Sequence, residues 1–204
     1  MVSVLTQNDR VEYREVLADM HRDRKRVFVD RLGWDVPVVD GQFEIDQFDT
    51  HEAVYLVVHD EAARRHVASL RLLPSTRPHL LSSVFPHLCE KHVPIGEEIW
   101  EISRLCIAPE VKDNIPPRIE LMLALAEFAL LSGIKNYTLV THMAYLAQLL
   151  AIGWDCEPLG LPVKDASGRI GALIINITPA TLSFLKAKTG VDAPVLALPS
   201  RIAA

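Results

Sequence analysis

The chain of 204 residues has only three cysteines, Cys89, Cys106 and Cys156. An odd, widely spaced set with no metal-type pairing and no secretory leader ahead of it excludes a disulfide framework and fits a reducing cytoplasm. His87, Cys89 and His92 lie close together, but their spacing matches no zinc pattern and reads as a structural loop, so no metal is expected. Long hydrophobic runs are lacking as well. The longest, Leu121 to Ile134, contains Glu127 and is too short for a bilayer, which excludes a membrane span and leaves a buried helix. There is no excess of positive charge. A net charge of −5 excludes a general nucleic-acid binder. Internal repeats and low-complexity segments are absent.

Half of the residues are apolar, enough for one substantial core and too few for two. A single domain over 1–204 is expected, with its core ending near residue 190 and 191–204 forming a C-terminal tail. A strand is expected at Val2 to Leu5, then a helix that frays near Gly33. From Trp34 to Thr50 no period is sustained, which indicates a long loop of the kind that carries function. Val54 to Val58 and His66 to Leu73 read as a hairpin, Pro78 to His92 as a short helix and loop, and Ile99 to Ile107 as a strong strand. Pro116 and Pro117 open a helix that ends at Gly133. A strand at Asn136 to Thr141, a helix closed by Gly153, strands near Cys156 to Leu159 and Ile170 to Ile177, and a helix from Thr178-Pro179 to Gly190 follow. Apolar strands alternating with helices imply an α/β (α+β) fold, a mixed sheet with helices on both faces.

Charges occur where this pattern calls for apolar residues. Arg24 lies on the helix face made by Tyr13, Leu17, Met20, Val27 and Phe28, about 20° from Leu17. An unpaired cation there costs several kcal/mol, so it needs an anion, and Asp46, Asp49 and Glu101 are the candidates. The alternative is that Arg24 bends its stem along the face and puts its head in water. Arg71 repeats the anomaly in the second hairpin strand. Glu101 and Arg104 repeat it in the third, with opposite parity, so that they serve different sites or a bulge lies between them. An ion pair of Glu101 with Arg71 is the structural alternative. A separate basic cluster, Arg22, Lys25, Arg26 and Arg31, suits an acidic protein or a phosphorylated ligand, or is a solvated helix face.

The series Arg24, Phe28, Trp34, Asp46, Asp49, then Arg71 within Ser69-Leu70-Arg71-Leu72-Leu73-Pro74, then Phe85, Glu101, Ser103 and Arg104 resembles, in order and spacing, the LuxI-type acyl-homoserine lactone synthases. The resemblance runs from about residue 5 to about residue 185. Leu105, where many members carry Phe, is a departure that bears on the shape of the adjacent pocket. The resemblance implies a fold like the GCN5-related N-acyltransferases, a three-layer αβα sandwich with a mixed, largely antiparallel central sheet. It also implies a reaction in which the amine of S-adenosylmethionine takes an acyl group from acyl carrier protein or acyl-CoA, then lactonises and expels methylthioadenosine. S-adenosylmethionine is a substrate here, and no cofactor is expected.

By the same resemblance Glu101 is the base, with Arg71, Asp46 and Asp49 beside it. Arg24, Phe28, Trp34, Asp46, Asp49 and Arg104 hold S-adenosylmethionine. Phe85, Ser103, Thr138, Thr141, Met143, Leu146 and Leu150 line the acyl pocket. Strand parity turns Thr138 and Thr141 to opposite faces, so at most one reaches the ligand. An acidic carrier would dock on Arg22, Lys25, Arg26 and Arg31, with Lys135 and Lys164 as the fallback. One rival reading is an ordinary acetyl-CoA N-acetyltransferase, but the stretch from Ala108 to Arg118 has no glycine to cradle a pyrophosphate, which favours a carrier-protein donor over coenzyme A bound without such a loop. The other is a domain of this fold that binds without turnover.

Overall fold

The computed structural model describes residues 1–165 and 168–197, so the expected tail beyond 197 lies outside the described residues. In chain order the elements are β1 (Val2–Leu5), α1 (Arg14–Arg24), β2 (Val38–Val39), β3 (Phe43–Glu44), β4 (Val54–Asp60), β5 (Arg65–Pro74), α2 (Leu80–Ser83), β6 (Ile99–Ile107), α3 (Ile115–Ser132), β7 (Asn136–His142), α4 (Leu146–Ile152), β8 (Asp155–Pro158), β9 (Val163–Asp165), β10 (Gly168–Asn176), α5 (Pro179–Thr189) and β11 (Leu196–Ala197). The fold is mixed α/β, and its strand pairings are mixed and mostly antiparallel, as expected. No helix among the described residues is long and apolar enough to cross a membrane.

The described chain packs as two compact units: Met1–Leu72, Arg104–Leu125 and 195–197 in one, Leu73–Ser103 and Ala126–Pro194 in the other. In the first unit β1 lies between β4, antiparallel to it, and β11, parallel to it, and β5 pairs antiparallel with β4. Val54 to Val58 are all buried, the continuous apolar pattern of a strand covered on both faces. Helix α1 does not simply fray. At Lys25 it widens into a π-helix over Lys25–Arg31, which Gly33 closes at φ +68°. Such widening is rare and concentrates at functional sites. It keeps Arg24, Val27 and Phe28 all buried on one side.

In the second unit β6 runs parallel to β7, β7 antiparallel to β10, and β10 carries β8 and β9 antiparallel. Thr178 caps α5 by accepting from the Thr181 N–H, Pro179 fills the first helical position, and Gly190 ends the helix at φ +71°. The expected helix from Met143 starts with a 3₁₀ turn, Met143–Tyr145, before α4. Three short pairings carry too few residues to show a period in the sequence: β2 with β3 inside the expected loop, β9, and β11 within the expected tail.

Candidate active site

Arg24 does not reach water. Only 1% of it is exposed, which rules out the bent-stem alternative. Its Nη1 and Nη2 each donate to one oxygen of Asp49 at 2.9 Å, and its Nε donates to Glu44. Arg71, fully buried, forks onto Asp46 at 2.6 and 3.1 Å and meets Asp49 at 2.8 Å. Arg104 donates from Nη2 to Asp46 at 2.7 Å and from Nε to Glu44 at 3.1 Å. The result is a closed ring of six charges of alternating sign, Arg24, Glu44, Arg104, Asp46, Arg71, Asp49 and back to Arg24. Each member touches two of opposite sign, and the ring is neutral as a whole.

Hairpin β2–β3 brings Glu44 into place, and two backbone bonds hold the next turn: the Asp46 N–H donates to Asp49 at 2.9 Å and the Phe48 N–H to Asp46 at 2.8 Å. The Tyr55 hydroxyl adds a 2.8 Å bond to Asp49, and its burial, followed by the Asp49 charge, raises its pKa. Burial alone would raise the Asp49 carboxyl, but Arg24 and Arg71 beside it hold it far below the usual carboxylate range. His21, hydrogen-bonded to the Glu44 carbonyl, is pushed down to about 4 by burial and then by Arg24.

Phe28 and Trp34 stack face to face, centroids 4.8 Å apart and planes within 7°. The Arg104 guanidinium carbon lies 5.7 and 5.9 Å from the two ring centroids. The backbone of Arg104 itself sits at φ +53°, a left-handed conformation for a non-glycine residue inside a strand. Strain of that kind typically costs about 1–3 kcal/mol.

Glu101, 1% exposed, is held differently. The Leu80 N–H donates to its Oε1 at 2.9 Å and the Leu81 N–H to its Oε2 at 2.7 Å. In register with it on β7 stands Thr138, fully buried, whose hydroxyl has no hydrogen-bond partner among the described residues. Thr141 is half-buried opposite Gly171, and Met143 Sδ lies over that glycine so closely that a Cβ there would come within 2.7 Å. Phe85 packs against the cluster of Leu81, Leu88, Ile170 and Ala172. Ser103 and Leu146 are partly buried, whereas Leu150 is 51% exposed and Leu105 49%.

The basic cluster is largely offset by its own unit. Arg22 pairs with Asp19 at 2.9 Å, Lys25 with Asp30 at 2.8 Å, and Arg26 with Asp23 at 3.0 Å and Glu110 at 2.6 Å, while Arg31 is exposed. Lys135 is paired with Glu98, and Lys164 lies on the exposed β9. Among the described residues no group of three or more His, Cys, Asp or Glu is placed to hold a metal ion. Burial pushes the Cys106 thiol up to about 12 and Cys156 to about 11, and raises Cys89. None of them is a thiolate nucleophile at neutral pH.

The sequence reading brought together five of the six ring members and missed Glu44. A signal for it existed: a guanidinium that forks onto one carboxylate still has its Nε to satisfy, so three arginines need a third acceptor nearby.

Residues 8–181 match the family described as autoinducer synthase. The chain is 30% identical to an isovaleryl-homoserine lactone synthase of Bradyrhizobium diazoefficiens, over 96% of this chain and 88% of that one. Among solved structures it resembles the CoA-dependent acyl-homoserine lactone synthase BjaI with SAM and isopentyl-CoA, with TM-score 0.89, 30% identity and coverage of 97% and 92%. It likewise resembles the CoA-dependent synthase MesI, with TM-score 0.89, 30% identity and coverage of 98% and 100%. A Lactobacillus plantarum protein named as an N-acetyltransferase shares the fold alone, at 15% identity and TM-score 0.59.

Proposed function

We propose, from the premise that this chain belongs to the autoinducer synthase family, that it makes an acyl-homoserine lactone from S-adenosylmethionine and an acyl-CoA. The observation that carries the reading is Glu101, a carboxylate in the middle of a strand, buried and fixed by two backbone N–H groups beside an unpaired hydroxyl. Glu101 takes a proton from the substrate ammonium, directly or through water, a role typically worth about 10²–10⁴ in rate. The freed amine attacks the thioester carbonyl. Collapse of the tetrahedral intermediate forms the amide and expels the CoA thiolate, which takes the second amine proton. The methionyl carboxylate then attacks its own γ-carbon, closes the lactone and releases methylthioadenosine. With all three thiols protonated, direct transfer to the amine is the simpler course than a cysteine acyl-enzyme.

In this reading the charge ring preorganises the site. Arg24, Glu44, Asp46, Asp49, Arg71 and Arg104 pair with one another and hold the segment after Trp34 in place. The Phe28–Trp34 stack, with Arg104 above it, offers a flat polarisable face to the sulfonium or the adenine. Thr138, Thr141, Met143, Leu146 and Phe85 take the acyl chain. A CoA donor is favoured over a carrier protein because Arg22, Lys25 and Arg26 are already paired within the chain. At the start of α3, Pro116 and Pro117 have no N–H to offer a pyrophosphate, so a CoA donor would be held by groups other than that helix start. Cys89, Cys106 and Cys156 are free of disulfides, which suits a reducing cytoplasm, and the chain is read as one synthase domain.

The test is incubation of the purified protein with S-adenosylmethionine and a panel of acyl-CoA and acyl carrier protein thioesters, with mass spectrometry of the products. Lactone, methylthioadenosine and free CoA in equal amounts are expected. Lactone only from acyl carrier protein would overturn the donor, and acylation without methylthioadenosine would overturn the reaction.

A further inference from the structure

We propose that His79 is a positioning residue for Glu101: its buried ring locks the turn whose first two N–H groups hold both carboxylate oxygens. This rests on the reading of Glu101 as the base.

His79 is fully buried, at 0% exposure, immediately before α2. Its Nδ1 lies 2.8 Å from the Arg77 carbonyl oxygen. A carbonyl only accepts, so Nδ1 carries a hydrogen, and Ser82 Oγ lies 3.1 Å from the same nitrogen. The backbone of the same residue is braced twice by one side chain. The His79 N–H donates to Ser82 Oγ at 3.3 Å, and Ser82 Oγ donates to the His79 carbonyl at 3.1 Å. Ring and hydroxyl together fix the residue at φ −142° and ψ 170°, and this aims the next two N–H groups at Glu101.

The turn needs that bracing. Helix α2 has four residues, far short of the length at which a helix sustains itself. If the turn loosened, the carboxylate would lose the Leu80 and Leu81 donors at once. Asn, Asp or Ser is the usual residue at a helix start and would cap it at no penalty. His79 instead leaves Nε2 buried with no hydrogen-bond partner among the described residues, which a polar atom out of water does only at a penalty. Thr138 Oγ1, in register with Glu101, is unpartnered in the same way. A ring nitrogen and a hydroxyl left unpaired in the unit that holds the base are groups available to a bound reactant or water. A cap chosen for stability alone would not leave them.

The experiment compares His79→Asn with His79→Gln in the full chain. The Asn amide can donate to the Arg77 carbonyl as Nδ1–H does, whereas the Gln amide reaches towards the place of Nε2. Steady-state kinetics with S-adenosylmethionine and acyl-CoA are read alongside hydrogen exchange at the Leu80 and Leu81 amides. For His79→Gln the expected result is a fall in kcat of about 10- to 100-fold, KM for S-adenosylmethionine within about threefold, and faster exchange at both amides. His79→Asn should recover most of kcat and of the protection. Unchanged kcat and exchange in His79→Gln would overturn the proposal. So would recovery by Gln but not Asn, which would assign the role to Nε2, and so would equal losses of kcat and KM in both variants. If neither variant folds, Ser82→Ala removes the backbone brace alone, and unaltered exchange at Leu80 and Leu81 there would refute the locked turn. Absence of lactone from wild type would defeat the function reading, while the exchange comparison would still decide whether His79 holds the turn.

Discussion

Two polar centres in this protein are built on opposite terms. In the first unit six charges close on one another, each paired with two of opposite sign, and backbone N–H groups and the Tyr55 hydroxyl add to the ring. In the second unit two amides donate to Glu101, while Thr138 Oγ1 and His79 Nε2 have no hydrogen-bond partner among the described residues. A saturated network holds shape and has little left to offer a ligand. An unsaturated one is costly at rest and is relieved when something binds. Under the proposed function the contrast gives the ring a scaffolding role and the Glu101 centre the chemistry.

The largest expected effect falls on the unsaturated side. Glu101→Gln keeps the shape of the side chain and removes its basicity, so turnover should fall by about 10²–10⁴ with the fold intact. Near wild-type turnover in the folded variant would break the contrast outright.

Arg24→Met attacks the saturated side. It leaves Asp49 and Glu44 without their common partner, and breaking one member of a buried ion network typically costs about 3–5 kcal/mol. Urea melts should show that loss, and limited proteolysis should cut the segment between Trp34 and Thr50 as S-adenosylmethionine binding weakens. Equal stability and unchanged cleavage would mean that the ring is not what orders that segment.

Next in size is a pH effect. His21 titrates at about 4 in the folded chain against an ordinary value of 6.5, so between these values the unfolded chain binds the proton and the folded one does not. Stability from this group is therefore complete above pH 6.5 and is lost as pH falls towards 4. The sum is about 2–3 kcal/mol. Comparing urea melts at pH 7.5 and 4.5, wild type should lose more than His21→Gln, and identical losses would remove His21 from the account.

The smallest effect on stability should come from Thr138→Val, which replaces an unpaired buried hydroxyl with a methyl group of the same shape. Stability should stay within about 1 kcal/mol or rise. The ratio of kcat/KM between acyl-CoA substrates with and without an oxygen near the thioester should shift, and if stability fell by several kcal/mol the hydroxyl would have a partner after all.

Much of the fold is written locally. β1 and β6 begin and end where branched apolar runs begin and end, and Gly33, Gly133, Gly153 and Gly190 each stand at positive φ where a helix stops. The π-widening after Arg24 was not legible, because it inserts a residue without altering which side chains face inward. Glu44 was hidden in an aperiodic stretch, where only a count of guanidinium donors would have demanded it. His79 looked like an ordinary loop residue, since its burial depends on strands that arrive much later in the chain. Arg24, Arg71, Glu101 and Arg104 were legible for the converse reason: a charge at an apolar position stands out against the regular pattern around it.

The closed ring also constrains how such a chain can change over generations. Any single replacement within it strands two opposite charges at once, so its members are strongly epistatic, and a second replacement beside the first should cost far less than it would alone. Positions such as Leu105 and Leu150, half open to solvent, can drift one at a time. The six charges form a block that lineages inherit whole or abandon together.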